Sequence, residues 1–292
     1  MKIAVTGAMG LFGRGLTQIF RLQHQVFPLT RQDADITDAA HMRRLLMDIH
    51  PEVIVHPAGI PDIDECELHP DTAFRVNTEA TRSLVEIADD LGARFAFIST
   101  DAVFDGNAIR PYEEGDAVNP PSVYGRTKVA AEEAVRRYDR HCIFRVSVLF
   151  GPGKANFVSK AVEKARQGEL YVVASDQLGS ATYTIDAAET MLRAFDAGAD
   201  GTFHLCNQGG CTRYDLARRA VELAGLDPAT VVGKPMADMK RPGPRLTYAV
   251  MEMRALKEAG IELPRKWESA LEEYIKVLRS SADDIRGQNA EL

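Results

Sequence analysis

The first half of the chain alternates short apolar runs with amphipathic stretches. Five runs predict buried strands, over residues 2–7, 25–30, 52–58, 94–100 and 141–151, because short continuous apolar runs are typical of strands in parallel sheets. In each interval between them, apolar residues recur at helical spacing. Strands that alternate with helices indicate βαβ units, whose right-handed crossovers place helices on both faces. We therefore predict an α/β fold with a doubly wound parallel sheet.

The second half has a less regular pattern, with more Pro and Gly, as in residues 233–246. Helices are predicted over 156–168, 184–198, 213–225, 250–258 and 266–279, and strands over 170–175 and 201–207. We predict a first domain over 1–150, to which 182–205 return, and a smaller helix-rich domain over most of 151–280. The last residues, 281–292, lack a periodic apolar face and are expected to form a flexible tail.

Composition and charge exclude several functions. The 292 residues carry a formal net charge of -7, so no excess of Lys and Arg indicates a nucleic-acid partner or an anionic membrane surface. No apolar run approaches the ~18 residues of a membrane span, and no signal peptide is expected before the first strand. The four cysteines form no CxxC pair and the seven histidines show no metal-ligand spacing. We expect reduced thiols, no metal and a cytoplasmic protein.

A glycine triplet follows the first predicted strand directly. In "VTGAMGLFGRGL", Gly7 suits the tight turn, Gly10 allows close approach of a ligand to the backbone, and Gly13 lets helix and strand pack closely. Amides at the start of the next helix would face a pyrophosphate. A lone triplet is a weak signal, but its place between a strand and a helix favours a dinucleotide site over a glycine-rich turn without a ligand. The sheet is thus predicted to be Rossmann-like.

The end of the second strand bears on which dinucleotide is bound. Many NAD-binding folds place an acid about 20 residues beyond the glycines, where it bonds the ribose hydroxyls. This chain has Thr30 and Arg31 there, and an arginine can pair with a 2′-phosphate. Arg31 therefore favours NADP, while the nearby Asp33 and Asp35 leave NAD open.

Three polar residues form a candidate catalytic group. Thr100 ends the fourth strand, and ligands of open α/β sheets bind beyond the carboxyl ends of the strands. Ser122 is placed to cap the next helix, on which Tyr124 and Lys128 share one face at i and i+4. A phenol has a pKa near 10, and a nearby ammonium is expected to lower it toward the working range. Tyr124 would then protonate a carbonyl oxygen, Lys128 would assist it, and Thr100 would hold the substrate oxygen.

The stretches "TGAMGLFG", "ISTDAVFDG" and "SVYGRTK" resemble the extended short-chain dehydrogenase/reductase superfamily. Within it, the chain resembles the dTDP-4-dehydrorhamnose reductase family over nearly its whole length, with further matches in "RVNTEAT", "DQLGSATYT" and "RPGPRL". The resemblance implies NAD(P)H-dependent reduction of a 4-keto sugar carried on a nucleotide, as in dTDP-rhamnose biosynthesis. It implies a sugar-nucleotide substrate held in the smaller domain, and a homodimer is one of the oligomeric states left open.

The resemblance also implies roles for individual residues. It puts Thr100, Tyr124 and Lys128 in the catalytic positions, the last two also touching the cofactor. The pyrophosphate loop would comprise Gly7, Met9, Gly10, Leu11, Phe12 and Gly13. Asp35 and Ile36 would lie near the adenine, and Ala58 and Gly59 near the middle of the cofactor. The substrate side would comprise Thr100, Ala102, Val148 and Arg241, where Ala102 and Val148 replace the family's usual Tyr and Trp.

Two other functions share these motifs. Nucleotide-sugar epimerases and dehydratases have the same fold and Tyr–Lys pair, but retain NAD and catalyse no net redox change. A regulatory subunit of methionine adenosyltransferase resembles the same reductases, so a non-catalytic cofactor-binding protein is a third hypothesis. The intact Thr100, Tyr124 and Lys128 favour an enzyme.

Overall fold

A six-stranded parallel sheet forms the centre of the computed structural model, which describes the backbone of residues 1–290 and the side chains of residues 1–280. The strands are β1 (Lys2–Val5), β2 (Gln25–Pro28), β3 (Val53–His56), β4 (Arg94–Thr100), β5 (His141–Val146), β6 (Val148–Phe150), β7 (Tyr171–Ala174), β8 (Leu178–Gly179), β9 (Ala181–Tyr183), β10 (Gly201–His204), β11 (Cys211–Thr212), β12 (Val231–Lys234) and β13 (Tyr248–Ala249). The central sheet has the order β10-β5-β4-β3-β1-β2. The predicted α/β fold class is confirmed.

Helices cover both faces of this sheet. They are α1 (Leu11–Phe20), α2 (Ala39–Ile49), α3 (Ile63–Leu68), α4 (Pro70–Phe74), α5 (Ala80–Leu91), α6 (Val123–Val135), α7 (Phe157–Arg166), α8 (Thr184–Asp196), α9 (Arg213–Leu223), α10 (Arg254–Glu258) and α11 (Trp267–Ala290). Side chains alternate along each strand. Ile3 and Val5 of β1 therefore join one core with α1 and α8, while Ala4 joins the opposite core with α2, α5 and α6.

The second half of the chain contributes to both parts of the molecule. β10 forms an edge of the central sheet beside β5, and α8 packs in the same core as α1. The remainder builds two small sheets, β11-β8-β13 and β12-β7, against α7, α9 and α11. A pair formed by β6 and β9 connects the two parts.

Three predicted elements differ in detail from the structure. The strand over 141–151 is divided at Ser147, because β5 belongs to the central sheet whereas β6 pairs with β9. The helix over 250–258 begins only at Arg254, since the preceding backbone pairs with β8 and the amide of Met251 bonds Ser180 Oγ at 3.1 Å. The helical stretch predicted between the third and fourth strands, over 71–91, contains a π-helical turn, Arg75–Glu79. The predicted flexible tail, 281–292, falls on residues whose side chains, and for 291–292 the backbone, lie outside the described part.

Candidate active site

The turn after β1 has the shape of a pyrophosphate-binding loop. Gly7 has a φ of +57°, and a Cβ there would lie 2.9 Å from the Cα of Ala58. A Cβ on Gly13 would lie 2.8 Å from the Cα of Ala8, so only glycine allows α1 to pack so closely on the turn. Gly10 precedes α1 and supplies no side-chain cap. The first amides of α1 therefore remain available to an anion, and these residues fit a dinucleotide.

The other predicted loop residues surround this turn. Met9 is exposed, whereas Phe12 is buried and lines the adjoining cleft. The loop after β3 brings Ala58 against Gly7, and it is held by Asn77 of the π-helical turn, whose Oδ1 accepts from the amide of Ile60 at 2.7 Å. A Cβ on Gly59 would lie 2.8 Å from that same Oδ1. The structure thus places the loops after β1 and β3 side by side.

The residues after β2 present one unpaired cation. Asp33 accepts from the amide and hydroxyl of Thr30 at 2.8 and 2.7 Å, which lowers the pKa of Asp33. Asp35 accepts in the same way from Thr37 at 2.9 and 2.8 Å, which lowers the pKa of Asp35. Arg31 is exposed, and its side chain makes no hydrogen bond or ion pair with the described residues. The charge of Arg31 also lowers the pKa of Asp35, but both carboxylates accept hydrogen bonds from their own turns, so the guanidinium of Arg31 is free to bind a phosphate.

A second predicted residue of this region, Ile36, is half-buried and packs against the core beside α2. Leu11, the first residue of α1, is also half-buried. These apolar side chains lie near the two turns without contributing polar groups.

The three predicted catalytic residues line one cleft. Thr100 ends β4; its Oγ1 donates to Asp101 Oδ1 at 2.9 Å and accepts from the amide of Ala102 at 3.1 Å. Ser122 caps α6 by accepting from the amide of Gly125 at 3.1 Å. The cap sets the first two turns of α6 at the carboxyl end of β4, so Tyr124 and Lys128 reach the same cleft as Thr100.

The ammonium of Lys128 is bound away from Tyr124. Its Nζ donates to the carbonyl of Ile98 at 2.6 Å and lies 3.9 Å from the centroid of the Phe97 ring. Burial lowers the pKa of Lys128 to about 7, although the carboxylate of Glu132 acts in the opposite direction. The amine therefore changes charge near neutral pH.

The expectation that Lys128 lowers the pKa of Tyr124 is wrong for this conformation. Burial raises the pKa of the Tyr124 phenol, a hydrogen bond with Thr100 opposes the rise, and the charge of Asp101 adds to it. The ammonium of Lys128 donates instead to the carbonyl of Ile98, and its charge is not among the influences on the pKa of Tyr124. A phenol with a raised pKa stays protonated, which is the form that a proton donor needs.

A buried ion network supports this part of α6. Internal pairing of Arg145 is expected from its place in an apolar strand, whereas its partner Glu132 was not identified from the sequence. Glu132 lies one turn after Lys128 and accepts from Arg145 Nε and Nη2 at 3.0 and 2.8 Å, from Arg136 at 2.6 Å and from Ser99 Oγ at 2.5 Å. Burial alone would raise the pKa of Glu132, but these bonds hold it below its usual value. An arginine in the apolar run of β5 was the signal that pointed to a buried acid.

The substrate side of the cleft is built by segments far apart in sequence. The cleft has a volume of about 750 Å³. Ala102 is buried in its wall, Val148 is half-buried, and Arg241 is exposed at its rim. Burial raises the pKa of Asp101 beside them, against the effect of hydrogen bonds from Ser147 and Thr100. The four predicted substrate-side residues, Thr100, Ala102, Val148 and Arg241, all line this cleft.

Two further arginines line the cleft and were not predicted. Arg245 binds Asp64 of α3 through both Nη atoms, with Nη2 at 2.9 Å from Oδ2. The amide of Gly243 donates to Asp64 Oδ1 at 2.9 Å. This bidentate pair joins α3 to a segment 181 residues later in the chain. Arg213, the first residue of α9, is the other arginine.

In the described part of the chain, no group of three or more His, Cys, Asp or Glu side chains could hold a metal ion. No helix among the same residues is long and apolar enough to cross a membrane. The four cysteines are free and buried.

Comparison with known protein families identifies the relationship of the chain. Residues 1–280 match the model of the RmlD substrate binding domain family. The chain belongs to this family. The resemblance to dTDP-4-dehydrorhamnose reductases predicted from the motifs is confirmed.

Relatives in the RmlD family carry different substrate names. The dTDP-4-dehydrorhamnose reductase of Streptomyces griseus is 37% identical over 282 residues, covering 94% of this chain and 93% of that protein. The dTDP-4-keto-6-deoxy-D-glucose reductase of Streptomyces niveus is 36% identical over 279 residues, covering 94% and 97%. A crystal structure of dTDP-4-dehydrorhamnose reductase from Bacillus anthracis str. Ames in complex with NADP has a TM-score of 0.90 at 26% identity, covering 94% of this chain and 98% of that chain.

Proposed function

We propose that this RmlD-family chain is an NAD(P)H-dependent reductase of a 4-keto sugar carried on dTDP. The observation that carries the proposal is the convergence of Thr100, Tyr124 and Lys128 on one cleft, beside a glycine turn that fits a dinucleotide. A proton donor, its supporting groups and a cofactor loop are the parts that carbonyl reduction needs.

The cofactor would be held by the loops after β1, β2 and β3. Gly7, Gly10 and Gly13 shape the pyrophosphate turn, and the unpaired Arg31 favours the 2′-phosphate of NADP. When bound, the reduced nicotinamide supplies the hydride. The similar structure from Bacillus anthracis is a complex with NADP, which also supports NADP as the cofactor.

Protons are handled by the residues of the chain. Tyr124 donates its phenolic proton to the carbonyl oxygen of the sugar, which becomes a hydroxyl. Thr100, which interacts with Tyr124, would turn its one hydroxyl proton from Asp101 to the same oxygen. Lys128 would bond the ribose of the cofactor. The amide of Ala102 fixes Thr100 Oγ1 at 3.1 Å, which keeps the donor group in place.

The sugar nucleotide would lie along the other side of the cleft. Lys160 and Arg241, both exposed at its rim, supply charge for the diphosphate. The two relatives named above act on different dTDP-linked keto sugars, so the proposal covers a 4-keto sugar without choosing between them. The small side chains of Ala102 and Val148 leave room beside Thr100.

The domain organisation follows from this proposal. Residues 1–150 and 182–205 would hold the cofactor, and the rest of 151–280 the sugar nucleotide. The cytoplasmic location and the homodimer remain predictions.

The test is a turnover assay with the purified chain. Consumption of NADPH and of NADH is followed with dTDP-4-dehydro-6-deoxy-L-mannose and related dTDP-4-keto sugars. We expect turnover with at least one sugar, and faster with NADPH. No turnover across the panel would overturn the proposal. Release of stoichiometric NAD on denaturation would then favour an epimerase or dehydratase, and capture of a methionine adenosyltransferase would favour a regulatory subunit.

A further inference from the structure

The backbone around Arg213 is fixed in two ways. Thr212 and Asp215 form a reciprocal cap at the start of α9, with the amide of Asp215 donating to Thr212 Oγ1 at 2.9 Å. The amide of Arg213 donates to the carbonyl of Gln177 at 3.2 Å. These bonds hold the Cα of Arg213 at the wall of the cleft, so its side chain enters the cleft from a rigid base.

The guanidinium of Arg213 has no polar partner among the described residues. Its central carbon lies 5.1 Å from the centroid of the Phe157 ring of α7, an arrangement typical of a stacked arginine. It makes no ion pair and its side chain makes no hydrogen bond within the described part, unlike Arg245 in the same cleft. Five donors of a half-buried guanidinium are therefore left for a ligand or for water.

Arg213 stands on the sugar side of the cleft. It lines both the main cleft and a small recess beside Asp101, Ser147 and Val148. Burial lowers the pKa of Arg213 and the charge of Asp101 opposes this, but an arginine remains charged. The exposed Lys160 and Arg241 at the rim are a separate source of positive charge.

We propose that Arg213 binds an oxyanion of the substrate on the sugar side of the cleft, next to Asp101. The inference rests on the proposed function, since it needs a sugar nucleotide in this cleft. A planar guanidinium held on an aromatic ring is suited to bidentate binding of a phosphate or a carboxylate. Two sources supply this chemistry: the phosphate that joins the sugar to the nucleotide, or a carboxylate on the sugar itself.

Balancing the charge of Asp101 is the competing explanation. Arg213 forms no ion pair with Asp101 within the described part, although the charge of Asp101 acts on it, and Asp101 already accepts from Thr100 and Ser147. A balancing role would affect folding stability and leave ligand affinity unchanged. Stability and affinity can therefore separate the two explanations.

The experiment is calorimetric titration of three ligands: dTDP, dTDP-glucose and dTDP-glucuronate. Arg213→Gln removes the positive charge, and Arg213→Lys keeps the charge but lacks the planar guanidinium that can bind an oxyanion through two nitrogens. Arg218→Gln is the matched control, because Arg218 lies on the same helix, is exposed and pairs with Glu222 at 3.2 Å. Thermal melting and NADPH affinity report whether each variant is folded.

We expect Arg213→Gln to weaken binding about 10- to 100-fold, the loss typical of a charge-assisted hydrogen bond, and Arg213→Lys to weaken it less. A loss with all three ligands assigns the oxyanion to the phosphate, and a loss with dTDP-glucuronate alone assigns it to a sugar carboxylate. Unchanged ligand affinities in a folded Arg213→Gln variant overturn the inference. It is also overturned if Arg213→Gln lowers stability, adding Asp101→Asn restores it, and the ligand affinities do not change. Absence of binding of all three ligands to the wild type overturns the proposed function as well.

Discussion

The two sides of the cleft are built in different ways. The proposed cofactor side consists of short contiguous motifs at the carboxyl ends of neighbouring parallel strands, as in the turn after β1 and the start of α6. The sugar side combines separate segments, with Val148 from β6, Arg213 from α9, and Arg241 and Arg245 from the segment before β13. A side made of local motifs depends on single backbone positions. A side made of distant segments depends on how the elements pack, and this difference can be tested.

The largest effect is expected at the buried ion network under the cofactor side. Glu132→Gln leaves Arg145 buried, only 1% exposed, without its counter-charge, which should lower the free energy of unfolding by about 3–5 kcal/mol. Chemical denaturation measures this change. Glu163→Gln, on the exposed face of α7, is the control, and an equal loss in both variants would contradict the role of the network.

The glycine turn gives the next largest effect. Gly13→Ala places a methyl group against the backbone of Ala8 and Gly7, and such overpacking costs about 1–3 kcal/mol. We expect NADPH affinity to fall with stability, while dTDP affinity at the other side of the cleft stays within about twofold. The control is Gly115→Ala, which has open space around it. Unchanged NADPH affinity in Gly13→Ala would break the proposed separation of the two sides.

Arg31 should affect the choice of cofactor alone. Arg31→Ala removes the unpaired cation after β2, so NADPH should bind about 10-fold more weakly while NADH affinity is unchanged. Fluorescence titration of the two cofactors measures the ratio. An equal change for both would show that Arg31 does not contact the 2′-phosphate.

The buried Lys128 should also make stability depend on pH. The folded pKa of Lys128, about 7, lies below its ordinary value of 10.5, so between these values the unfolded chain binds more protons and stability rises with pH from this group. The destabilisation that comes from burying the charged amine is fully present below pH ~7. Lys128→Met removes this pH-dependent part of the stability. From pH 7 to 10, the melting temperature of the variant should therefore rise less, or fall more, than that of the wild type. Parallel profiles would contradict the buried position of the ammonium.

The difference between local motifs and distant segments also explains how much could be predicted from the sequence. The core strands follow from apolar runs, because a strand covered on both faces is apolar throughout. Tyr124 and Lys128 could be paired from the sequence because residues four positions apart in a helix lie on the same face. Where the Lys128 ammonium points could not be predicted, because it depends on the Ile98 carbonyl of a strand 30 residues away.

Contacts set by sheet register and by helix packing were beyond the sequence patterns. Ser99 meets Glu132 and Arg145 because β4 and β5 pair with Ser99 opposite Arg145. The division of 141–151 at Ser147 depends on β9, which no local signal indicates. Arg213 reaches the cleft only through the packing of α9 on α7.

The most direct test of the account is the rate of keto-sugar reduction in Tyr124→Phe. Turnover of a dTDP-4-keto sugar with NADPH is compared with that of the wild type, and NADPH affinity is measured in parallel. We predict a rate lower by about 10²- to 10⁴-fold, the usual contribution of a general acid, with NADPH affinity within about twofold. A Tyr124→Phe variant that reduces the sugar at the wild-type rate would contradict the account.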